Sequence, residues 1–367
     1  MRKLFLYLKN LDWIIFSVII FLSSFGLIEI YSIALGQGGS DLLNFKKQLV
    51  FVGLGVFSLL FFSFFDYRFL KNSSKYLYIL GVGILVAVLF FGTTIRGTTG
   101  WFSLPGFSIQ PVEFIKIILL FFLSYFFSIR GSKVRPLKDL LFSGLSVGIM
   151  IFLVLMQPDF GSASILLVLW SIYLFIVGFN KKYFIILGIL FILLTSFLWA
   201  FYFKDYQRER ILTFVNPGAN SLNEGYNVTQ AIIAVGAGGI MGRGIGFGSQ
   251  SQLKFLPEAQ NDFIFAVISE EFGFLGVFLV ILFFGIFFYR CLISVSKMND
   301  DFSIFFILGV VGLIFTEMFI NISMNIGILP VVGISLPFIS YGGSSVISNF
   351  ILVGILENII IKSKIKY

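Results

Sequence analysis

The chain has 367 residues, 58% of them hydrophobic and only 12% charged, with a mean hydropathy of +1.01. That composition excludes an ordinary soluble domain and points to a polytopic membrane protein. The single cysteine excludes an internal disulfide framework, and the absence of histidine leaves Asp, Glu, Lys and Tyr for general acid–base chemistry.

The opening MRKLFLYLKN is basic and is followed by a span-length apolar run without a small-residue cleavage site, so the first span is expected to act as its own insertion signal. With roughly 20 apolar residues needed per crossing, the sequence predicts ten helices. They lie near 12–34, 46–65, 76–92, 112–129, 140–157, 160–179, 183–203, 263–289, 304–326 and 341–361, separated by short basic breaks such as FDYRFLKNSSK and SIRGSKVRPLKD. Ten crossings put both termini on one side. The segments on that side carry roughly twice as many Lys and Arg as the opposite side, which predicts cytoplasmic termini. The net charge of +8 therefore reads as a topology signal and not as a nucleic-acid surface. The expected fold class is all-α polytopic, one transmembrane domain over 1–367, with a long extracytoplasmic loop at about 204–262 between helices 7 and 8. Two more outer segments are expected, 93–113 and 328–343. The second carries Pro330 and Pro337 and is flanked or filled by Gly327, Gly333, Gly342 and Gly343. It reads as re-entrant, a backbone tolerated at membrane depth only where protein or a water-filled cavity covers it.

Eight acids fall in or at the ends of spans: Glu29, Glu113, Asp159, Asp262, Glu270, Glu271, Glu317 and Glu357. A lone carboxylate at mid-bilayer costs about 2.5–3.5 kcal/mol on the lenient insertion scale, so these should face a polar interior. Glu29 and Glu357 are near span ends, where capping or hydration is expected. Glu113 and Lys116 are spaced i, i+3 and can pair. Asp159 follows Gln157 and Pro158 in a tight break and reads as an N-cap. Glu270 and Glu271 project about 100° apart and read as architecture. Asp262 closes the long loop and opens a helix. An N-cap is one reading. The other is chemical, because the loop brings Arg208, Arg210, Arg243 and Lys254 and a Gly-rich turn, GAGGIMGRGIGFG, to the membrane edge. Such a surface suits an anionic lipid headgroup such as a diphosphate.

Five stretches, QPVEFIK, QPDFGSA, YQRERILTFVNP, FGSQSQLKFLPEAQNDFIFAVISEEFGFLG and GILPVVGISLPFISYGGSS, resemble the SEDS family of shape, elongation, division and sporulation proteins. The resemblance covers nearly the whole chain. It implies ten transmembrane helices and a peptidoglycan glycosyltransferase that polymerises lipid II at the outer face of the bacterial plasma membrane, partnered by a class B penicillin-binding transpeptidase. LDW, YQRERI, SQSQLKFLPE and PVVGI are similar to the elongation branch (RodA-like). LPEA and PFISYGGSS with SNFILVGILENI are similar to the division branch (FtsW-like). The balance leans to elongation. Three departures stand out. Gln260 and Asn261 replace the His-Thr usual before the loop aspartate. Gly100 replaces a basic residue before the loop Trp, with Arg96 four residues earlier as a substitute. Val112 replaces a Ser.

Sugar transfer from a lipid diphosphate needs a base for the acceptor hydroxyl and positive charge for the departing diphosphate. A carboxylate at the outer membrane edge is the natural base here, and the resemblance puts the catalytic aspartate at Asp262. It also implies Glu113 and Lys116 as substrate-site residues. Lys116, Arg208, Arg210 and Arg96 are the expected diphosphate ligands, Glu258 is expected to orient the loop, and Gln110 is a further substrate-site candidate. No metal-ligand set and no cofactor are indicated, although a divalent cation stays open. Two rivals remain: a transporter that flips a lipid-linked precursor, and a non-catalytic scaffold for a transpeptidase.

Overall fold

The computed structural model describes Tyr7, Ser196 and residues 9–36, 42–95, 97–131, 135–189, 224–253 and 255–365. The helices are α1 (Trp13–Gly36), α2 (Leu43–Phe64), α3 (Tyr67–Asn72), α4 (Ser74–Phe91), α5 (Pro111–Arg130), α6 (Pro136–Leu155) and α7 (Phe160–Val177), followed by α8 (Glu224–Ala237), α9 (Ser249–Gln252), α10 (Ile264–Val295), α11 (Asp301–Asn325) and α12 (Gly343–Ile365). Nine of these are long and apolar enough to cross a membrane among the described residues. The expected span at 183–203 begins with helical residues 181–189, and the rest of it lies outside the described residues.

Local chemistry sets most boundaries. Asp159 and Asp300 cap α7 and α11 by accepting the N–H groups of Ser162 and Ser303. Pro111 and Pro136 open α5 and α6, where a missing N–H costs nothing. Gly178, left-handed at φ 84°, ends α7. The span expected at 263–289 runs on to Val295 because Arg290 is not a stop. Its guanidinium meets Asp12 at 2.5 Å, and Cys291 beyond it is buried. Likewise α12 continues past Glu357 and Asn358. Glu357 accepts the Asp12 N–H at 3.0 Å, and Asn358 bridges Ser63 O and Tyr67 N at 2.6 and 3.1 Å.

Helix α12 is the axis of the bundle: 83% of its apolar window is buried, against 22% for α2 and α4. It packs along α2 and against α5 and α11. One end of the bundle, the loop end, gathers residues 93–109, 255–262 and 326–342. Residues 93–109 are not simply loop. They form an antiparallel meander of β1 (Thr93–Ile95), β2 (Thr98–Leu104) and β3 (Phe107–Ile109), with β2 against α4 and α5. Residues 326–342 are irregular, with Leu336, Phe338, Ile339 and Ser340 buried. Irregular backbone is what the two prolines forecast, and protein covers part of it.

The Gly-rich turn is not a flexible surface. Helix α8 packs on α10, and residues 238–248 then insert into a break in α10 at Gly273 (φ 65°, ψ −159°). In an uninterrupted helix, the N–H groups of Phe274 and Leu275 would bond to the carbonyls of Glu270 and Glu271. Here they donate to Gly239 O (2.9 Å) and Ile240 O (3.2 Å), while the stranded carbonyls of Glu270 and Glu271 accept from Arg243 N and Gly244 N, both at 2.9 Å. Each bond lost from the helix is replaced by one to the inserted turn, as a membrane interior requires. Gly238 permits the approach, since a Cβ there would collide with the Ser269 carbonyl. Alanine at Gly238 should therefore lower the melting temperature by several degrees, an energy of about 1–3 kcal/mol. Alanine at Gly236, where a Cβ meets nothing within 4 Å, should leave it unchanged or slightly raised. Thermal unfolding of the two purified variants compares them directly.

Candidate active site

Asp262 lies in the turn just before α10 and is half-buried. It is not the helix cap: Phe263 holds that position and makes no side-chain cap bond. Its backbone is fixed from α11. The amide groups of Asn321 and Asn325 both donate to the Asp262 carbonyl, each at 3.0 Å. The same Asn321 amide also donates to Ile334 O at 2.7 Å, and the Asn325 side-chain oxygen accepts the Ala266 N–H at 3.2 Å. Two side chains thus tie the aspartate, the first turn of α10 and the 326–342 segment together. Gly333 of that segment stands beside the carboxylate, and a Cβ there would sit 3.7 Å from Asp262 Oδ2.

The residues before Asp262 anchor the turn. Glu258 has φ 55°, uncommon for a side chain of its size. Its carbonyl accepts the Asn261 N–H at 3.0 Å, and its carboxylate accepts the Asn261 amide at 2.5 Å. Gln260 accepts from Asn44 of α2 at 3.1 Å, and its carbonyl takes the Tyr341 N–H at 2.8 Å. The Asn261 carbonyl takes the Ser340 hydroxyl at 2.6 Å. At the two positions that depart from the usual His-Thr, the backbone carbonyls therefore hold the 326–342 segment, while the side chains bond to Asn44 and Glu258.

A second cluster lies deeper. Lys116 Nζ is 2.8 Å from Glu113 Oε2 and 2.5 Å from Glu317 Oε1, and all three side chains are at least nine-tenths buried. Ser348 of α12 donates to Glu113 at 3.4 Å. Above it, the Gln110 N–H donates to Ser344 Oγ at 2.8 Å, and the Gln110 amide donates to Asp159 Oδ2 at 3.2 Å. Burial pushes the Asp159 carboxyl up from its ordinary value, against the lowering effect of its Ser162 bonds. Helix α11 joins the two clusters, because Glu317, Asn321 and Asn325 recur every four residues on one face, about 6 Å per step. A column of polar side chains on α11 thus spans the distance from the Asp262 turn to Lys116.

Sequence reasoning singled out Asp262, Glu113, Lys116, Glu258 and Gln110, and the fold brings all five to the loop end. Arg96, Arg208, Arg210 and Lys254 lie outside the described residues. Asn321, Asn325, Ser344 and Ser348 were missed. Their signal was polar residues at four-residue spacing in otherwise apolar helices.

The model of the FtsW, RodA and SpoVE family of cell cycle proteins matches residues 11–365. The chain belongs to this family. Stage V sporulation protein E of Bacillus subtilis (strain 168) is 34% identical over 357 residues, covering 95% of this chain and 96% of that protein. The peptidoglycan glycosyltransferase MrdB of Escherichia coli (strain K12) is 33% identical, covering 88% and 86%. Among solved structures, a chain from work on polymerization and crosslinking by a peptidoglycan synthase complex superposes with a TM-score of 0.81 at 26% identity, over 97% of this chain and 99% of that one. This SEDS member is accordingly a multi-pass bacterial membrane protein.

In this SEDS chain the Lys116 cluster has a stability consequence. Removing the one cation leaves two buried carboxylates facing each other. Lys116→Met should cost about 3–5 kcal/mol, whereas Glu113→Gln, which keeps the Lys116–Glu317 pair, should cost clearly less. Denaturant or thermal unfolding in detergent measures both.

Proposed function

We propose that this family member is a peptidoglycan glycosyltransferase that polymerises lipid II in cell elongation or division, with Asp262 as its general base. The observation that carries the base assignment is the double amide clamp on the Asp262 carbonyl. It fixes the backbone of a half-buried carboxylate at the mouth of the polar column, where a base must be held in one geometry. The names of the relatives, peptidoglycan glycosyltransferase FtsW and MrdB, support the reaction class. The charge asymmetry supports a loop end that faces outward, toward the leaflet where a lipid-linked sugar would enter.

Asp262 takes the proton of the acceptor hydroxyl as that oxygen bonds to the donor's anomeric carbon. The bond from this carbon to the diphosphate breaks, and the leaving group carries the electron pair. Arg96, Arg208 and Arg210 are our candidates for meeting that charge. Lys116 already faces two carboxylates, so with Glu113 it lines the site chiefly by holding α5 to α11. Glu258 and Gln110 set the turn and the α5 entrance. The partner is a class B penicillin-binding transpeptidase, in keeping with the synthase complex that contains the structural relative.

Asp262→Asn should reduce glycan polymer made from lipid II, in the presence of the cognate transpeptidase, by at least about 100-fold. Its melting temperature and its co-elution with the transpeptidase should match the unmutated chain. Equal polymer from both would remove Asp262 as the base.

A further inference from the structure

The contact between α1, the inserted Gly-rich turn and α10 holds acceptor oxygens that no proton satisfies. Glu29 on α1 is fully buried (0% exposed), and neither of its carboxylate oxygens has a hydrogen-bond partner. No protein group among the described residues caps it. Ser32, one turn further on the same face, lies 2.7 Å from both oxygens of Glu271. Gln252 donates to Glu271 Oε1 at 3.1 Å and to Ser32 O at 3.1 Å. Its own Oε1 is buried and unpartnered. Glu29, one turn before Ser32 on that face, is thereby brought to the side of α1 that meets the Glu271 carboxylate. Glu270 next door differs, because Gln250 N (3.0 Å), Ser251 N (3.3 Å) and Ser249 Oγ (3.2 Å) satisfy it.

We propose that Glu29, Glu271 and Gln252 form a binding site for one divalent, oxygen-preferring cation of the Mg2+, Ca2+ and Mn2+ class, which ties α9 and α10 to α1. Three arguments select it. The unsatisfied atoms are all oxygens and all acceptors, which is what a hard cation needs and a donor-rich ligand does not. Two buried carboxylates become neutral with a divalent ion, whereas a proton or a monovalent ion leaves one negative charge in a low-dielectric interior. No thiol or imidazole is within the set, so softer metals have nothing to prefer. Among the described residues no three His, Cys, Asp or Glu side chains gather. The ligand set is two carboxylates and an amide, with water completing the shell as it commonly does around Mg2+ and Ca2+. The site is separate from Asp262, which lies ten residues beyond Gln252 on the returning arm.

The test uses the full-length protein, purified in detergent and stripped with chelator. Thermal unfolding is followed in Mg2+, Ca2+ or Mn2+ chloride against sodium chloride of equal ionic strength, and bound Mn2+ is counted by electron paramagnetic resonance. At least one of the three ions should raise the melting temperature by about 3 °C or more, and one Mn2+ per chain should be bound. Asp262→Asn should show the same rise and the same count. Glu29→Gln should lose the bound ion and melt at one temperature with or without metal, and Gln252→Met should weaken the response. No metal effect on the unmutated chain overturns the proposal, as does a Glu29→Gln response equal to it. A melting temperature that depends on pH but not on metal also overturns it, because the pair would then hold a proton.

Discussion

Two asparagine amides on α11, both bonded to one backbone carbonyl, are the joint on which the loop end depends. Asn321 and Asn325 spend three of their four N–H donors on Asp262 O and Ile334 O, and the last on Asn321 O. An apolar side chain at Asn321 would remove the amide donor to Ile334 O and one of the two donors to Asp262 O. Asn325 also reaches the first turn of α10, where its side-chain oxygen accepts the Ala266 N–H. The 326–342 segment, the first turn of α10 and a candidate base thus share one set of contacts.

The intramembrane acids follow the same logic with different partners. Glu113 and Glu317 flank Lys116 and bind α5 to α11. Glu270 receives the backbone of α9, and Glu271 receives Ser32 and Gln252. Glu357 receives the N–H of Asp12, whose carboxylate receives Arg290. Each links elements distant in sequence, so the polar groups specify which helices are neighbours while the abundant Phe and Leu supply bulk that is less selective.

Much of this was legible in the sequence. Spans follow from apolar length, α7 begins at Asp159 because Asp is a strong cap, and the two prolines of 328–343 forecast irregular backbone. The site was legible where chemistry is rare in its surroundings: an aspartate at a span mouth and a Lys three residues after a Glu. Four features were not legible. β1 and β3 have three residues each, too few to separate from loop. The Gly-rich turn carries the composition of a flexible segment, and only the broken bonds of α10 reveal it as inserted structure. Glu29 read as a helix-end acid because sequence position does not give depth. Asn321 and Asn325 are ordinary residues until the fold shows that both point at one carbonyl.

The break at Gly273 divides α10 into two mechanical pieces. Below it, the helix is continuous to Val295 and is moored to Asp12 through Arg290. Above it, the short upper piece carries Asp262 on its leading end and is fastened to the inserted turn and to α11. A helix transmits twist and axial push through its own i to i−4 bonds, and at this point two of them run to the turn instead. The turn is bonded to both sides of the break, to Glu270 and Glu271 above it and to Phe274 and Leu275 below it. It therefore acts as a splint, carrying across the gap the load that an unbroken helix would carry through its own bonds.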